Sequence, residues 1–373
     1  MYQLFYPKRD TTLYEQYKTK NTGIDPILEL TKIASGSPAN GIIALNTYNT
    51  RILIDFGDQI TTISASVSSG DIGANSKFYL NLRAIDSADI PITYSLEAYA
   101  VSQSWVNGTG NEADIPITTN GASWQYRTSE DVGTEWLTSG YANGSTGSSG
   151  VTTVGGGTWY TGSGASQSFN YQTPDIRMDV TNIVREWISG SFVNNGFIIK
   201  RPISEESSAD PYGSLKFFGK DTHTIYVPRL EAAWDNSDLS GTGSYTEISS
   251  DSYVLNFKNI RKEYFADGRA KFRIAVRPEF PDKSYVTSSF YLTDNRLPTS
   301  SFYSVKDTVT NETIIPYDTS ATRISCDANG NYIDLRLNTF QPERYYKFAL
   351  KIEKDGGDDV QIHDDGFYFK VTR

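Results

Sequence analysis

Short runs in which apolar and polar residues alternate recur along most of the chain, and they constrain its fold more than any other feature. KFYLNLRAI (77–85), ITYSLEAYAV (92–101) and AKFRIAV (270–276) are typical, with an apolar residue at every second position. Successive side chains of a strand point to opposite faces, so a period of two indicates a half-buried β-strand. Aromatic residues, mostly Tyr, make up 13% of the chain and suit a pleated sheet. We therefore predict an all-β protein.

A polar break separates these runs into two groups. Residues 235–245 (DNSDLSGTGSY) have no apolar periodicity and are rich in Gly and Ser, which is typical of a linker. We predict one β-domain over 1–234, a linker at 235–245 and a second domain over 246–373. The second domain offers seven or eight short strands joined by turn sequences such as DANGN and KDGGDD. This spacing predicts an immunoglobulin-like β-sandwich.

One segment follows a helical period instead. DVTNIVREWISG (179–190) places Val180, Ile183, Val184, Trp187 and Ile188 on one helical face. We predict one short amphipathic helix there, which starts at Asp179 or Thr181 and ends at Gly190. By contrast, residues 138–166 are poor in apolar side chains, and we predict a long surface loop.

Residue counts and charge exclude several classes of function. There are two histidines (His223 and His363) and one cysteine (Cys326), which leaves little for a His-based triad or a Cys/His zinc cluster and nothing for an internal disulfide. We expect no catalytic activity and no cofactor. The net charge of −10 is scattered, so we expect no nucleic acid partner. No apolar run is long enough to span a bilayer, and we expect no membrane partner and no signal peptide.

The composition also bears on localisation. Richness in Asn, Ser, Thr, Gly and Tyr is similar to that of extracellular β-proteins, yet the chain shows no export signal and no disulfide. These features fit a virion component that is assembled in the host cytoplasm, with a soluble intracellular protein as the alternative.

Residues 10–234 resemble the DNRLRE domain, a β-jelly-roll module of surface, secreted and structural proteins. The resemblance rests on these segments in this order: DTTLYEQYKTKNTGIDPILEL, TRILIDF, ITYSLEAYAVSQSW, ASWQYRTSEDVGTEW, MDVTNIVREWISGSFVNNGFIIK and VPRLEAAW. It implies an N-terminal jelly-roll sandwich with one short helix. It implies no catalytic site.

The C-terminal part resembles domains appended to such modules in structural proteins of large tailed phages, particularly those of marine cyanobacteria. The segments that carry this likeness are FYSVKDTVTNETIIPYD, ISCDANGNYIDLRLN, FQPERYYKFALKIE and DDGFYFKV. The resemblance implies partners among other virion structural proteins in a symmetric, multi-copy assembly.

The tryptophans are the candidates for a ligand or partner surface. We expect Trp105, Trp187 and Trp234 in the core, because they lie at strand ends or on the apolar helix face. Trp124, Trp136 and Trp159 flank the Gly/Ser-rich stretch, and an exposed position there would let them stack on a sugar or meet a partner.

Acidic residues offer only weak candidates. Asp355, Asp358 and Asp359, with the nearby Asp364 and Asp365, are a weak calcium candidate, since they lack the register of a calcium loop, and we predict no metal site. Two pairs, Glu205 with Glu206 and Asp86 with Asp89, stand in polar contexts rather than in a predicted cleft, which disfavours glycosidase chemistry.

The sequence therefore favours a non-enzymatic structural protein of a tailed-phage virion, at the neck, tail, baseplate, fibre or capsid surface. It would dock to neighbouring subunits through its β-sandwich surfaces. The alternative is an adhesion module that recognises host-surface polysaccharide, and an enzyme that cleaves such a polysaccharide ranks third.

Overall fold

The computed structural model describes residues 1–39, 42–136, 146–147, 155–243, 245–281, 295–354 and 357–373. Strands account for 44% of the structure and helices for 8%, and the strands form several antiparallel sheets. This confirms the prediction of an all-β sandwich protein.

The chain divides into two compact units. The N-terminal unit consists of Phe5–Ile72 and Lys77–Glu231. The C-terminal unit consists of Ala232–Arg373 together with two short segments, Met1–Leu4 and Gly73–Ser76. The pattern along the chain did not predict that these two segments belong to the C-terminal unit.

Hydrogen bonds explain why residues near the predicted boundary group with the C-terminal unit. The Met1 amino group donates to the carbonyl oxygens of Trp234 and Ala321. Within the predicted linker, the Asp238 carbonyl accepts a bond of 2.9 Å from the Cys326 amide. The segment 235–245 is thus tied to the C-terminal unit. Whether the predicted domains fold independently stays a prediction.

Strands are numbered in chain order. Up to Ala233 they are β1 (Tyr2–Phe5), β2 (Arg9–Tyr14), β3 (Ile27–Ala39), β4 (Ile42–Asp55), β5 (Lys77–Leu82), β6 (Ala84–Ala88), β7 (Thr93–Val101), β8 (Thr146–Gly147), β9 (Trp159–Asn170), β10 (Ile176–Asp179), β11 (Phe197–Lys200), β12 (Gly213–Phe218) and β13 (Arg229–Ala233). The later strands are β14 (Tyr253–Phe257), β15 (Glu263–Phe265), β16 (Arg269–Pro278), β17 (Ser301–Asp307), β18 (Thr313–Ile315), β19 (Ser325–Asp327), β20 (Gly330–Arg336), β21 (Arg344–Lys354) and β22 (Asp359–Thr372).

A large curled sheet dominates the N-terminal unit. Its nine strands follow the order β6-β12-β3-β4-β11-β7-β9-β8, and β2 also pairs with β4. All of these pairs are antiparallel. Strands β5 and β10 pair in a second sheet, with Leu80 opposite Met178. Both of these side chains are buried, as the alternation along β5 predicts.

Two sheets form the C-terminal unit, in the orders β14-β16-β20-β19 and β15-β22-β21-β17-β18. Aromatic rings pack between them: Phe257 of β14 and Phe272 of β16 lie 5.0 and 4.9 Å from the ring of Phe348 on β21. Phe272 also lies 5.2 Å from Phe369 on β22. Phe257, Phe272 and Phe369 alternate along their strands with more exposed residues, so each sheet buries one face, which is the arrangement of a β-sandwich.

The predicted helix is present as α2 (Thr181–Ser189). The Asp179 carboxylate accepts a bond of 3.0 Å from the Thr181 amide at its start. Gly190 ends the helix with φ +78°, a left-handed conformation that favours glycine. Trp187 lies on the buried face, with its ring 4.6 Å from that of Phe197.

The prediction of a single helix is wrong, because two further helices occur. They are α1 (Gln59–Ser68) and the one-turn α3 (Ile203–Glu206). The sequence of α1, QITTISASVS, consists largely of Ser, Thr and β-branched residues, which are indifferent helix formers. Only Ile60 and Ile63 are buried along it. Packing of these two side chains, rather than local propensity, explains this helix.

The predicted surface loop at 138–166 is also partly wrong. Residues 159–166 belong to β9, which pairs along its length with β7. The Gly/Ser-rich sequence of β9 gave no apolar signal, because backbone hydrogen bonds and not buried side chains hold most of this strand. Residues 137–145 and 148–154 lie outside the described residues.

Trp187 tests the packing of α2. We expect Trp187→Ala to lower the free energy of unfolding by about 3–5 kcal/mol, because it removes a buried aromatic ring. Asn182→Ala, on the exposed face of the same helix, should change it by less than about 0.5 kcal/mol. Urea denaturation of the full chain measures both. A loss below about 1 kcal/mol for Trp187→Ala would show that the ring does not anchor the helix.

Candidate functional site

The three tryptophans that are candidates for a ligand or partner surface are buried. Trp124, Trp136 and Trp159 are 0%, 2% and 2% exposed. They belong to a core cluster with these residues: Leu13, Leu53, Val101, Trp105, Ala122 and Ile198. These rings therefore do not offer the exposed surface for which they were candidates, because the segment that carries Trp105, Trp124 and Trp136 folds over the apolar face of the large sheet. Burial of Trp105, Trp187 and Trp234 confirms the expectation for those three.

A buried ion pair lies beside this cluster. The guanidinium of Arg51 donates from Nε and Nη2 to both carboxylate oxygens of Glu206, at 2.9 and 2.8 Å. Its Nη1 donates to the Gly156 carbonyl at 2.6 Å. The guanidinium carbon lies 4.9 Å from the ring centre of Trp124 and 5.1 Å from that of Trp159. Arg51 therefore joins β4 to α3 and to the segment at Gly156.

Further charges surround Glu206. The Lys200 ammonium lies 3.5 Å from the Glu206 carboxylate and 3.4 Å from that of Glu97. Burial raises the pKa of Glu206, but Arg51 and Lys200 outweigh burial and bring the pKa below its ordinary value. The Glu205 carboxylate lies 3.3 Å from the Arg201 guanidinium. The carboxylates of Glu205 and Glu206 are thus both held in ion pairs. This is an arrangement of structural charges and not that of an open catalytic cleft.

A groove of about 300 Å³ opens on the N-terminal unit. We call it the Tyr14 groove. Residues from four strands and two loops line it: Tyr14, Gln16, Tyr17, Glu29, Thr31, Ile33, Tyr48, Asn49, Thr50, Glu112, Ser214 and Lys216. A second cavity of about 260 Å³ shares Tyr14, Glu29, Glu112 and Lys216 with it and adds Asp25. The two cavities are therefore neighbours.

Glu29 organises the centre of this groove. Its carboxylate accepts a bond of 3.1 Å from the Tyr14 hydroxyl and lies 2.9 Å from the Lys216 ammonium. The hydrogen bond and charge of Glu29 raise the pKa of Lys216, so this lysine is protonated. Burial and Glu29 together raise the pKa of Tyr14, which keeps its hydroxyl as a donor.

Lys20 supports one wall of the groove. Its buried ammonium lies 5.3 Å from the ring centres of both Tyr14 and Tyr17. The same ammonium lies 2.8 Å from the Glu112 carboxylate. A cation between two aromatic rings is attracted to both. Lys20 thus holds Tyr17 and Glu112 in place while the Tyr17 ring stays 48% exposed.

Asn21 fixes the loop that carries Glu112. Its side-chain amide donates to the carbonyls of Asn107 and Ala122, both at 2.8 Å, and accepts bonds from the Gly23 and Gly110 amides. A Cβ atom at Gly108 would lie 2.2 Å from Asn21 Oδ1. The loop and the side chain therefore fit together only with glycine at this position. The Glu112 amide also donates to Asp25 at 2.7 Å.

An aromatic surface lies on the C-terminal unit. On β21 and β22, Tyr345 stands opposite Lys370, and Lys347 stands opposite Tyr368. Tyr345 and Tyr368 are each 53% exposed, and Phe265 on the neighbouring β15 is 74% exposed. We call this the outer sheet face. Both lysines are ion-paired: Lys347 with Asp364 at 2.9 Å and Lys370 with Glu343 at 2.6 Å.

The calcium candidates are only partly within the described residues. Asp355 lies outside the described residues. The Asp359 carboxylate accepts a bond of 3.1 Å from the Gln361 side chain. Within the described ranges, no group of three or more His, Cys, Asp or Glu side chains is arranged to hold a metal ion. In the same part of the chain, no helix is long and apolar enough to cross a membrane.

No protein-family model, curated protein or solved structure matches the chain. The resemblances to DNRLRE domains and to phage virion proteins therefore stay predictions.

A buried carboxyl group in the same unit predicts a pH-dependent stability. Asp10 on β2 is buried, and its Oδ2 accepts a bond of 2.6 Å from the Lys220 amide, while its Oδ1 has no hydrogen-bond partner in the described structure. Burial raises the pKa of Asp10 from 3.8 to about 7. The folded protein therefore binds this proton more tightly than the unfolded chain, and stability decreases as the pH rises from about 4 to about 7.

Asp10→Asn should remove this dependence, because its side chain does not ionise. Between pH 5 and pH 8, the unfolding free energy of Asp10→Asn relative to wild type should rise by about 2–3 kcal/mol. Urea denaturation at the two pH values measures it, with the exposed Asp86→Asn as control. An equal effect of Asp10→Asn at both pH values would contradict the assignment.

Proposed function

We propose that the chain is a non-enzymatic structural protein of a tailed-phage virion that docks to a neighbouring protein subunit. The observation that supports this best is the outer sheet face. Phe265, Tyr345 and Tyr368 expose more than half of their surface there. Exposed aromatic rings on one face are typical of protein interfaces, where they supply anchoring area.

The shape and chemistry of this face favour a protein as its occupant. The three rings stand on adjacent strands of a sheet, and lysines that already pair with Asp364 and Glu343 flank them. Lys370 and Lys347 lie directly opposite Tyr345 and Tyr368, so the face alternates aromatic rings with lysines whose charges are already neutralised. Protein interfaces combine aromatic anchors with polar groups that form hydrogen bonds. The opposite side of β21 and β22 is anchored by Phe348 and Phe369 in the core, so the surface is held rigid before binding.

Multiple copies would add strength to weak contacts. In a symmetric particle, each additional contact forms at a high effective concentration, so a modest surface suffices. A rigid β-sandwich also loses little conformational entropy when it binds. Both considerations fit a protein whose function is assembly.

A second candidate function is recognition of host-surface polysaccharide, and the Tyr14 groove favours it. The groove combines aromatic walls with hydrogen-bonding side chains. Its two central carboxylates, Glu29 and Glu112, each lie within 3 Å of a lysine ammonium. We therefore propose binding there and not hydrolysis.

Particle incorporation tests the first proposal. We expect the double variant Tyr345→Ser/Tyr368→Ser to fold normally, because both side chains are half exposed, and to enter particles at least about tenfold less than wild type. Tyr171→Ser is the matched control, since Tyr171 is 86% exposed in the N-terminal unit. Quantitative mass spectrometry of purified particles measures the copy number. Absence of the wild-type chain from particles, or full incorporation of the double variant, would contradict the proposal.

A further inference from the structure

We propose that the Tyr14 groove binds an uncharged oligosaccharide. This inference rests on the second candidate function and names its site and ligand class. It is independent of docking through the outer sheet face.

The size and walls of the groove suit sugar rings. The two neighbouring cavities have volumes of about 300 and 260 Å³, at and just below the lower limit for ligand sites. Tyr17 and Tyr48 line the larger cavity, and the ring of Tyr17 is half exposed. An aromatic face packs well against the C–H groups of a pyranose, and the tyrosine hydroxyl leaves a polar end for hydrogen bonding.

The polar side chains match hydroxyl groups, which both donate and accept hydrogen bonds. An ionised carboxylate has about four acceptor positions and an ammonium has three donors, so the pairs in the groove leave further hydrogen bonds to be made. Glu29 and Glu112 supply acceptors, and Lys216 supplies donors. Gln16 and Ser214 can do both.

The charge of the groove disfavours anionic ligands. Three carboxylates, Asp25, Glu29 and Glu112, line the two cavities together with one lysine, Lys216. Lys20 neutralises Glu112 from within the wall. No arginine is among the lining residues of either cavity. A uronic acid, a sialic acid or a phosphate would meet net negative charge, whereas a neutral sugar would not.

The groove is also organised before any ligand binds. Lys20 holds Tyr17 and Glu112, and Asn21 holds the loop of Glu112. Groups fixed in this way lose little entropy on binding, which favours affinity.

Affinity electrophoresis of the full chain tests the inference. The gels contain dextran, mannan or galactan as neutral polysaccharides, or alginate or polygalacturonate as acidic ones. We expect retardation in at least one neutral gel and none in the acidic gels. Tyr17→Ala should raise the dissociation constant for the neutral polysaccharide about tenfold by removing the stacking ring. Tyr171→Ala, an exposed tyrosine outside the groove, should bind like wild type.

Several results would overturn the inference: no retardation in any neutral gel, retardation in an acidic gel, or unchanged binding by Tyr17→Ala. Release of reducing sugar from a retarding polysaccharide, lost in Glu29→Gln, would instead contradict the non-enzymatic proposal and leave the groove as the saccharide site. The particle-incorporation experiment gives an independent result, because it depends on Tyr345 and Tyr368 and not on the groove.

Discussion

The N-terminal unit depends on the ion pair between Arg51 and Glu206. Both side chains are almost fully buried, so each charge has lost its water and relies on the other. The guanidinium also contacts the rings of Trp124 and Trp159 and the carbonyl of Gly156. One side chain on β4 thereby connects the core tryptophans with two segments distant in sequence. Loss of either charge would leave its partner buried and poorly compensated.

The pattern of alternating residues predicted most of the fold. Strands β5, β7, β14 and β16 bury every second residue, as their sequences indicate. Helix α2 was predicted because its apolar residues follow a helical period and Gly190 ends it. Helix α1 and strand β9 were not predicted from the sequence. Tertiary packing decides the conformation of α1 and backbone pairing that of β9, and neither effect leaves a periodic pattern of apolar residues.

The candidate sites were harder to predict, for a different reason. Tyr14, Glu29, Glu112 and Lys216 are far apart in sequence, and only the curled sheet and the loop held by Asn21 bring them together. Trp124, Trp136 and Trp159 were candidates for an exposed position because they flank a Gly/Ser-rich stretch, whereas the chain folds them inward. The exposed Tyr345 and Tyr368 had a visible signal in the sequence, since Tyr345 is followed by the buried Tyr346 and Tyr368 by the buried Phe369.

A double-mutant cycle on Arg51→Met and Glu206→Met, measured by urea denaturation, tests most directly whether the buried pair holds the N-terminal unit together. Each single change should destabilise the protein by about 3–5 kcal/mol, because it leaves a buried charge without its main partner. The double change should cost at least about 2 kcal/mol less than the sum of the two. The exposed pair Lys8 and Asp58, 3.7 Å apart, is the control and should show almost no coupling. Additive effects of Arg51→Met and Glu206→Met, within about 0.5 kcal/mol, would contradict the account.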